Sequence, residues 1–309
     1  MENSLVSIVV ITFNSSEYVL ETLESAKNQT YQNIELIVSD DCSTDNTVYI
    51  CKKWLEQNNS RFIRTELVTV EKNTGVPANC NRGLKVAFGD WIKLIAGDDA
   101  LFNDSIENMS NIAFNHPEIE ILLTQVEVYE NNFEQEFSKG ILLSDWQSIF
   151  ALDENTDSKI QIEYLLDGKY FPAPGFFIKR NLFTEIAGYD ESNKYIEDVP
   201  FYLKLLFVNK KIYFRPIVTV KYRKHNNNIT AFNNTILPIY MQEYCLTIVN
   251  ASKRYGKMKY ILNSHWNLFF VRLILILGNK GTLCNQINKF RLHFQTKRIF
   301  NFIELYISN

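Results

Sequence analysis

The chain has no CxxC pair, and its five cysteines (Cys42, Cys51, Cys80, Cys245 and Cys284) are odd in number and scattered. That spacing suits neither a disulfide framework nor a cysteine zinc site, and it fits a reducing compartment. Long apolar runs are missing as well: no stretch nears the ~18 uninterrupted apolar residues of a membrane span. The residues ahead of the first apolar run, Met1-Glu2-Asn3-Ser4, include no basic segment. Ser7–Thr12 is too short for the core of a secretion signal, so a cytoplasmic protein is expected. Neither GxGxxG after the first strand-like run nor GxxxxGK[ST] occurs, which excludes the phosphate cradles of dinucleotide-binding and P-loop proteins. Phosphate charge, where bound, would have to be offset by a metal.

What is present is a folded-protein composition: 309 residues, 46% hydrophobic and 22% charged. Such a chain can bury a large core as one domain, or as one domain with an appendage. The net charge of −3 hides an asymmetry. From Ala251 onward ten basic residues face the single acid Glu304, so the tail is basic and the body acidic.

Apolar periodicity alternates along the first hundred residues. Ser7–Thr12, Ile34–Val38 and Glu66–Val70 are β-branched, strand-like runs. Glu17–Lys27, Thr47–Gln57 and Asn79–Ala87 carry helical spacing, with Ser15 or Ser16 a candidate N-cap for the first helix. Trp91–Ile95 is a further apolar strand. This pitch predicts an α/β fold with a doubly wound, mostly parallel sheet and helices on both faces. Acidic loops follow the second strand (Asp40-Asp41) and the fourth (Asp98-Asp99). In such a sheet both can face one crevice beyond the strand ends, where ligands bind. Two adjacent carboxylates at a strand end suit a hard divalent cation that takes the rest of its shell from phosphate and water. A turn or helix N-cap is the bland alternative for the same pair.

Several stretches in order carry a resemblance. They are Ser7–Asn14, Gln29-Thr30-Tyr31, Glu35–Asp45, Asn73-Thr74-Gly75, Gly89–Ile92 with Asp98-Asp99, Gly188–Glu191, Glu197-Asp198 and Tyr222-Arg223-Lys224-His225. Together, over roughly residues 5–230, they resemble the inverting family 2 glycosyltransferases of the Rossmann-like GT-A fold. The resemblance implies that Thr12, Asn14, Asp40, Asp41, Asn73 and Asp98 hold the nucleotide. It implies a divalent metal, Mn2+ or Mg2+, on Asp98, Asp99 and His225, with Arg223 on phosphate. Asp198 would be the catalytic base, with Glu197 orienting or contacting acceptor. The family often has an Asp two residues before Asp98, where this chain has Ala96. An Arg often precedes the Asn of the third motif; here Cys80 precedes Asn81, and Arg82 is expected on a different helix face.

Without the resemblance, Asp198 reads more readily as a helix-start acid favoured by the helix dipole. Phe171, Pro174, Gly175 and Phe176 form an aromatic, backbone-restricted segment and are the acceptor-side candidates, with a packed core crossover as the alternative. Asp145-Trp146 and Tyr170 are assigned to the same shell.

Two regions are expected: a catalytic domain over 1–235 and a helical, basic C-terminal region over 236–309. Leu268–Leu277 is strongly apolar but short and interrupted by Arg272, which suggests a buried or interfacial helix. With its basic and aromatic neighbours, this tail could rest on an anionic leaflet at the cytoplasmic face of the inner membrane, or form a homodimer. Nucleic acid is not an expected partner, because nothing in the body supports base reading. The functional expectation is transfer of a sugar from a nucleotide sugar, a UDP-sugar, to a glycan acceptor such as a lipid-linked oligosaccharide precursor of surface polysaccharide. The rivals are a sugar-nucleotide nucleotidyltransferase, which should have a Gly-rich basic first loop, and a non-catalytic nucleotide- or glycan-binding module, which would lose the base.

Overall fold

The computed structural model describes residues 4–142, 157–167, 169, 171–226, 228 and 237–276. Asp145-Trp146, Tyr170 and the tail beyond Ile276 lie outside the described residues. The chain divides into two compact units, residues 1–162 with 170–225, and residues 163–169 with 226–309.

The first unit opens with β1 (Val6–Thr12), α1 (Val19–Lys27), β2 (Ile34–Asp40), α2 (Thr47–Asn58), β3 (Arg64–Val68), α3 (Val76–Lys85) and β4 (Trp91–Ala96). β5 (Ala100–Leu101), α4 (Ser105–Asn115), β6 (Ile121–Glu130) and β7 (Ser138–Leu142) follow. After α5 (Ser158–Leu166) come β8 (Phe176–Lys179), α6 (Arg180–Glu185), α7 (Asp198–Phe207) and β9 (Tyr213–Lys224). The strands form one sheet ordered β3-β2-β1-β4-β8-β6-β9-β5, with β7 paired to β6.

β3, β2, β1 and β4 are parallel throughout, the doubly wound half anticipated from the alternating pattern. Beyond β4 the sheet is mixed: β8 is antiparallel to β4 and β6, while β9 is parallel to β6 and antiparallel to β5. β1 and β2 are buried along almost their whole length, as strands covered on both faces must be. Their apolar residues join Leu23, Trp54 and Phe177 in one core. Glu35 is fully buried within β2, where its carboxylate accepts from Ser7 Oγ, the Phe88 and Gly89 amides and Arg64. A side chain at Gly89 would meet the Ser7 backbone at 2.5 Å, so this junction of β1, β2 and β4 admits only glycine.

Boundaries shift by two or three residues from the sequence pattern. β3 begins earlier, at Arg64, and α3 at Val76, because Pro77 is tolerated in a first turn. Neither Ser15 nor Ser16 caps α1 through its side chain: the Ser15 carbonyl accepts the Tyr18 and Val19 amides, and its hydroxyl turns back to Phe13 O.

The second unit contains α8 (Leu237–Tyr255) and α9 (Met258–Ile276). They pack through Cys245, Val249, Leu268 and Val271. No described helix is long and apolar enough to cross a membrane.

Candidate active site

Parallel pairing sets the site. Thr12 is level with Asp40 across β1 and β2, and Ile11 is level with Ala96 across β1 and β4. The two acidic loops therefore leave the sheet on either side of the end of β1. The Gly97 amide donates to Ile11 O, and a Cβ on Gly97 would lie 2.8 Å from Thr12.

On the β2 side the expected nucleotide contacts divide into buried and open residues. Asp40 is fully buried and accepts from the Ser43 amide and hydroxyl and from Thr12 Oγ1 at 2.8 Å. Thr12 is buried with it. In the structure these two side chains, expected on the nucleotide, bond each other and Ser43 and brace the turn after β2. Asp41 is also buried, and its carboxylate accepts from the Thr74 amide and hydroxyl, the Gly75 amide and Arg82 Nη2 at 3.1 Å. Arg82, expected on another helix face, thus reaches the acid after all, because its long side chain spans back along α3. Asn14 has positive φ (51°), bonds Thr44 through its Oδ1 and remains exposed, as does Asn73. Phe13 beside it is 48% exposed, an aromatic face that a core-seeking pattern does not single out.

On the β4 side the acid pair splits. Asp98 Oδ2 lies 2.9 Å from His225 Nε2, with the acid half-buried. Asp99 turns inward: its Oδ1 accepts the Arg223 amide, its backbone carbonyl accepts Thr22 Oγ1, and its Oδ2 is buried without a hydrogen-bond partner. Burial, then the Asp98 charge, drives the Asp99 pKa well up. The structure therefore does not bring Asp99 to Asp98 and His225 as a third ligand, and among the described residues no group of three acids, histidines or cysteines forms a metal site. Asp98 and His225 offer one carboxylate oxygen and one imidazole nitrogen, a mixed pair that fits Mn2+ better than Mg2+, which prefers oxygen alone.

Arg223, expected on phosphate, is held among side chains and backbone carbonyls. It is 1% exposed, and its guanidinium donates to Asp98 O, Asn131 O and Glu21 Oε2 while packing against Tyr18 and Phe133. With these donors turned inward, it fixes the backbone of the acid that faces His225. Tyr18 closes the same corner, its ring 4.7 Å from that of His225.

Glu197 and Asp198 open α7, with the Val199 amide bonded to Asp198 Oδ1 at 2.7 Å. They border a small apolar cleft with Leu94, Phe176, Tyr189 and Tyr202. Desolvation there pushes Asp198 up to about 6, and desolvation together with the Asp198 charge pushes Glu197 up to about 8. α3 ties this segment to the acidic turn after β2. Asn81 bonds Tyr189 at both its N–H and its carbonyl, and the Val76 amide bonds Lys194 O, one residue after Gly75 holds Asp41. Gly75 (φ 96°) could not be replaced without striking that Lys194 carbonyl at 2.6 Å.

The acceptor-side expectation divides too. Phe171 is fully buried edge-on to Tyr202, and Gly175 is buried against Thr124 O, so neither presents a face to a sugar. Phe176 stacks on Tyr202 yet borders the Asp198 cleft. Pro174 contributes its carbonyl, which with that of Phe176 receives the Nζ of a fully buried lysine, Lys93. Burial lowers the Lys93 pKa to about 7, against the opposing pull of Asp99. A lone Lys within an apolar strand was the signal for it.

Comparison with known proteins agrees with this architecture. S. aureus TarS 1–349 in complex with UDP-GlcNAc superposes with a TM-score of 0.60 at 22% identity, covering 85% of this chain and 72% of that one. The full TarS chain is longer, and this chain spans 43% of it. The mannosyltransferase PcManGT from Pyrobaculum calidifontis, in complex with GDP-Man and Mn2+, gives 0.56 at 15% identity over 97% of this chain and 82% of that one. The glycosyltransferase GlyG of Streptococcus pneumoniae is 27% identical over 238 residues, 74% of this chain and 73% of that protein. The family model for glycosyl transferase family 2 matches residues 7–186, more than half the chain, and the chain belongs to that family, with the GT-A fold its neighbours share.

Proposed function

We propose that this glycosyltransferase moves a sugar from a UDP-sugar to a hydroxyl of a glycan acceptor with inversion at the anomeric carbon. The supporting observation is the linkage through α3: one short segment, Thr74 to Asn81, anchors both the acidic turn after β2 and the loop that leads to Glu197-Asp198. Donor and base are then held in a fixed relation by the same helix.

The nucleoside is received at the ends of β1 and β2 by Phe13, Asn14 and Asn73, with Asp41 and Arg82 holding that wall in place. Asp98 and His225 would hold the divalent metal, which offsets charge on the leaving diphosphate. Asp198 takes the acceptor proton. Its raised pKa makes it a stronger base than an ordinary carboxylate, yet it is still ionised at neutral pH. Glu197 remains protonated at that pH and donates a hydrogen bond to the acceptor or to Asp198. The acceptor is a lipid-linked precursor of a surface polysaccharide, extended at the cytoplasmic face of the inner membrane.

The test is a panel of nucleotide sugars scored by nucleoside-diphosphate release and by direct detection of transferred sugar. Asp198→Asn should lower transfer by about 10²–10⁴-fold while leaving UDP affinity nearly unchanged. Near-normal turnover in that variant would remove Asp198 as the base.

A further inference from the structure

We propose that the outward face of α9 rests on the surface of an anionic lipid bilayer. At about 100° per residue, Met258, Leu262, Trp266, Phe269 and Ile276 fall within roughly 80° of arc. All five are exposed, between 37% and 81%. Ser264, Leu268 and Val271 point the other way and are buried, the last two against Cys245 and Val249 of α8. The helix is thus apolar on two sides, and among the described residues only one of them is covered. The uncovered stripe runs about 27 Å along the helix at 1.5 Å per residue.

Charge selects the occupant. Arg272 borders the stripe on one side, with the polar His265 beside it, and Lys259, which also pairs with Asp167 at 3.5 Å, borders it on the other, all exposed. Between Ala251 and Ile276 there are five basic residues and no acid. An apolar stripe edged by cations is the pattern of a helix lying in a membrane interface, where aromatic and aliphatic side chains enter the headgroup boundary and cations meet anionic lipid. A second copy would bring these same cations face to face, so self-association is disfavoured. The stripe does not mark a crossing, since no described helix is long and apolar enough for one.

This sharpens the membrane-face part of the function proposed above and rests on it only there. The experiment reads binding alone, so its failure leaves the transfer chemistry to be judged by the donor assay. Full-length protein is sedimented with vesicles of phosphatidylglycerol and phosphatidylcholine, and with phosphatidylcholine alone. Partition onto the anionic vesicles should exceed that onto neutral ones about tenfold or more and fall in high salt. Phe269→Asp and, separately, Leu262→Gln should each weaken it, the first by about tenfold or more, with melting temperatures unchanged because both positions are exposed. Tyr49→Ser, an exposed apolar position on α2, is the control and should bind like the parent. The proposal is overturned if the parent does not bind anionic vesicles, or if both stripe variants bind as it does. It is equally overturned if Phe269→Asp converts a dimer to a monomer in sedimentation velocity, which would give the stripe to a second copy.

Discussion

Replacing Arg223 with methionine separates a scaffold from a phosphate contact. Methionine keeps most of the apolar stem between Tyr18 and Phe133 and removes the charge. Two carbonyls, Asp98 O and Asn131 O, then lose a charged donor. Hydrogen bonds to charged groups contribute roughly 1.5–3 kcal/mol each. The Glu21 ion pair adds little, because Glu21 is 53% exposed and water replaces its partner. The expected loss is about 3–6 kcal/mol, or about 6–24 °C in melting temperature at ~2–4 °C per kcal/mol for a domain of this size. Differential scanning calorimetry without ligand measures it. UDP affinity with Mn2+, taken by titration calorimetry well below the transition, should fall as well, since the Asp98 backbone facing His225 is no longer pinned. An unchanged melting temperature combined with a large loss of UDP affinity would refute this reasoning and return Arg223 to the phosphate.

Other outcomes follow from the same geometry. The transfer rate should rise with pH through about 6 as Asp198 ionises and decline near 8 as Glu197 loses its proton, with the alkaline limb removed in Glu197→Gln. Both acids have folded-state pKa values above their unfolded ones, so the stability they confer is present in acid and lost as pH rises through those values. Glu197→Gln should therefore melt higher than the parent at pH 8 and no higher at pH 4, as read by calorimetry across pH. Chelation of divalent metal should abolish transfer and restore on adding Mn2+, and His225→Ala should raise the Mn2+ concentration needed for half-maximal UDP binding; activity unchanged in chelator would dismiss the Asp98–His225 pair.

The doubly wound half of the sheet was legible because strands covered on both faces read as continuous β-branched runs, and the helices between them read at their own period. The acids at the strand ends were legible for the same reason: a strand that stops at Asp40 or before Asp98 carries its acid to the sheet edge. The mixed half was not, since β8 has four residues and β9 takes its partners from β5 and β6, far apart in sequence.

Residue pattern alone put carboxylates at the ends of the second and fourth strands; the histidine came with the resemblance, and the aromatic segment stood open between acceptor side and core. Direction was decided only by tertiary structure. Asp98 and Asp99 are neighbours in the chain, yet successive side chains diverge, so one meets His225 and the other is buried under Arg223. Arg82 reaches Asp41 and Arg223 turns inward because long side chains settle where unsatisfied carboxylates and carbonyls are, and those partners come from elements tens to hundreds of residues away.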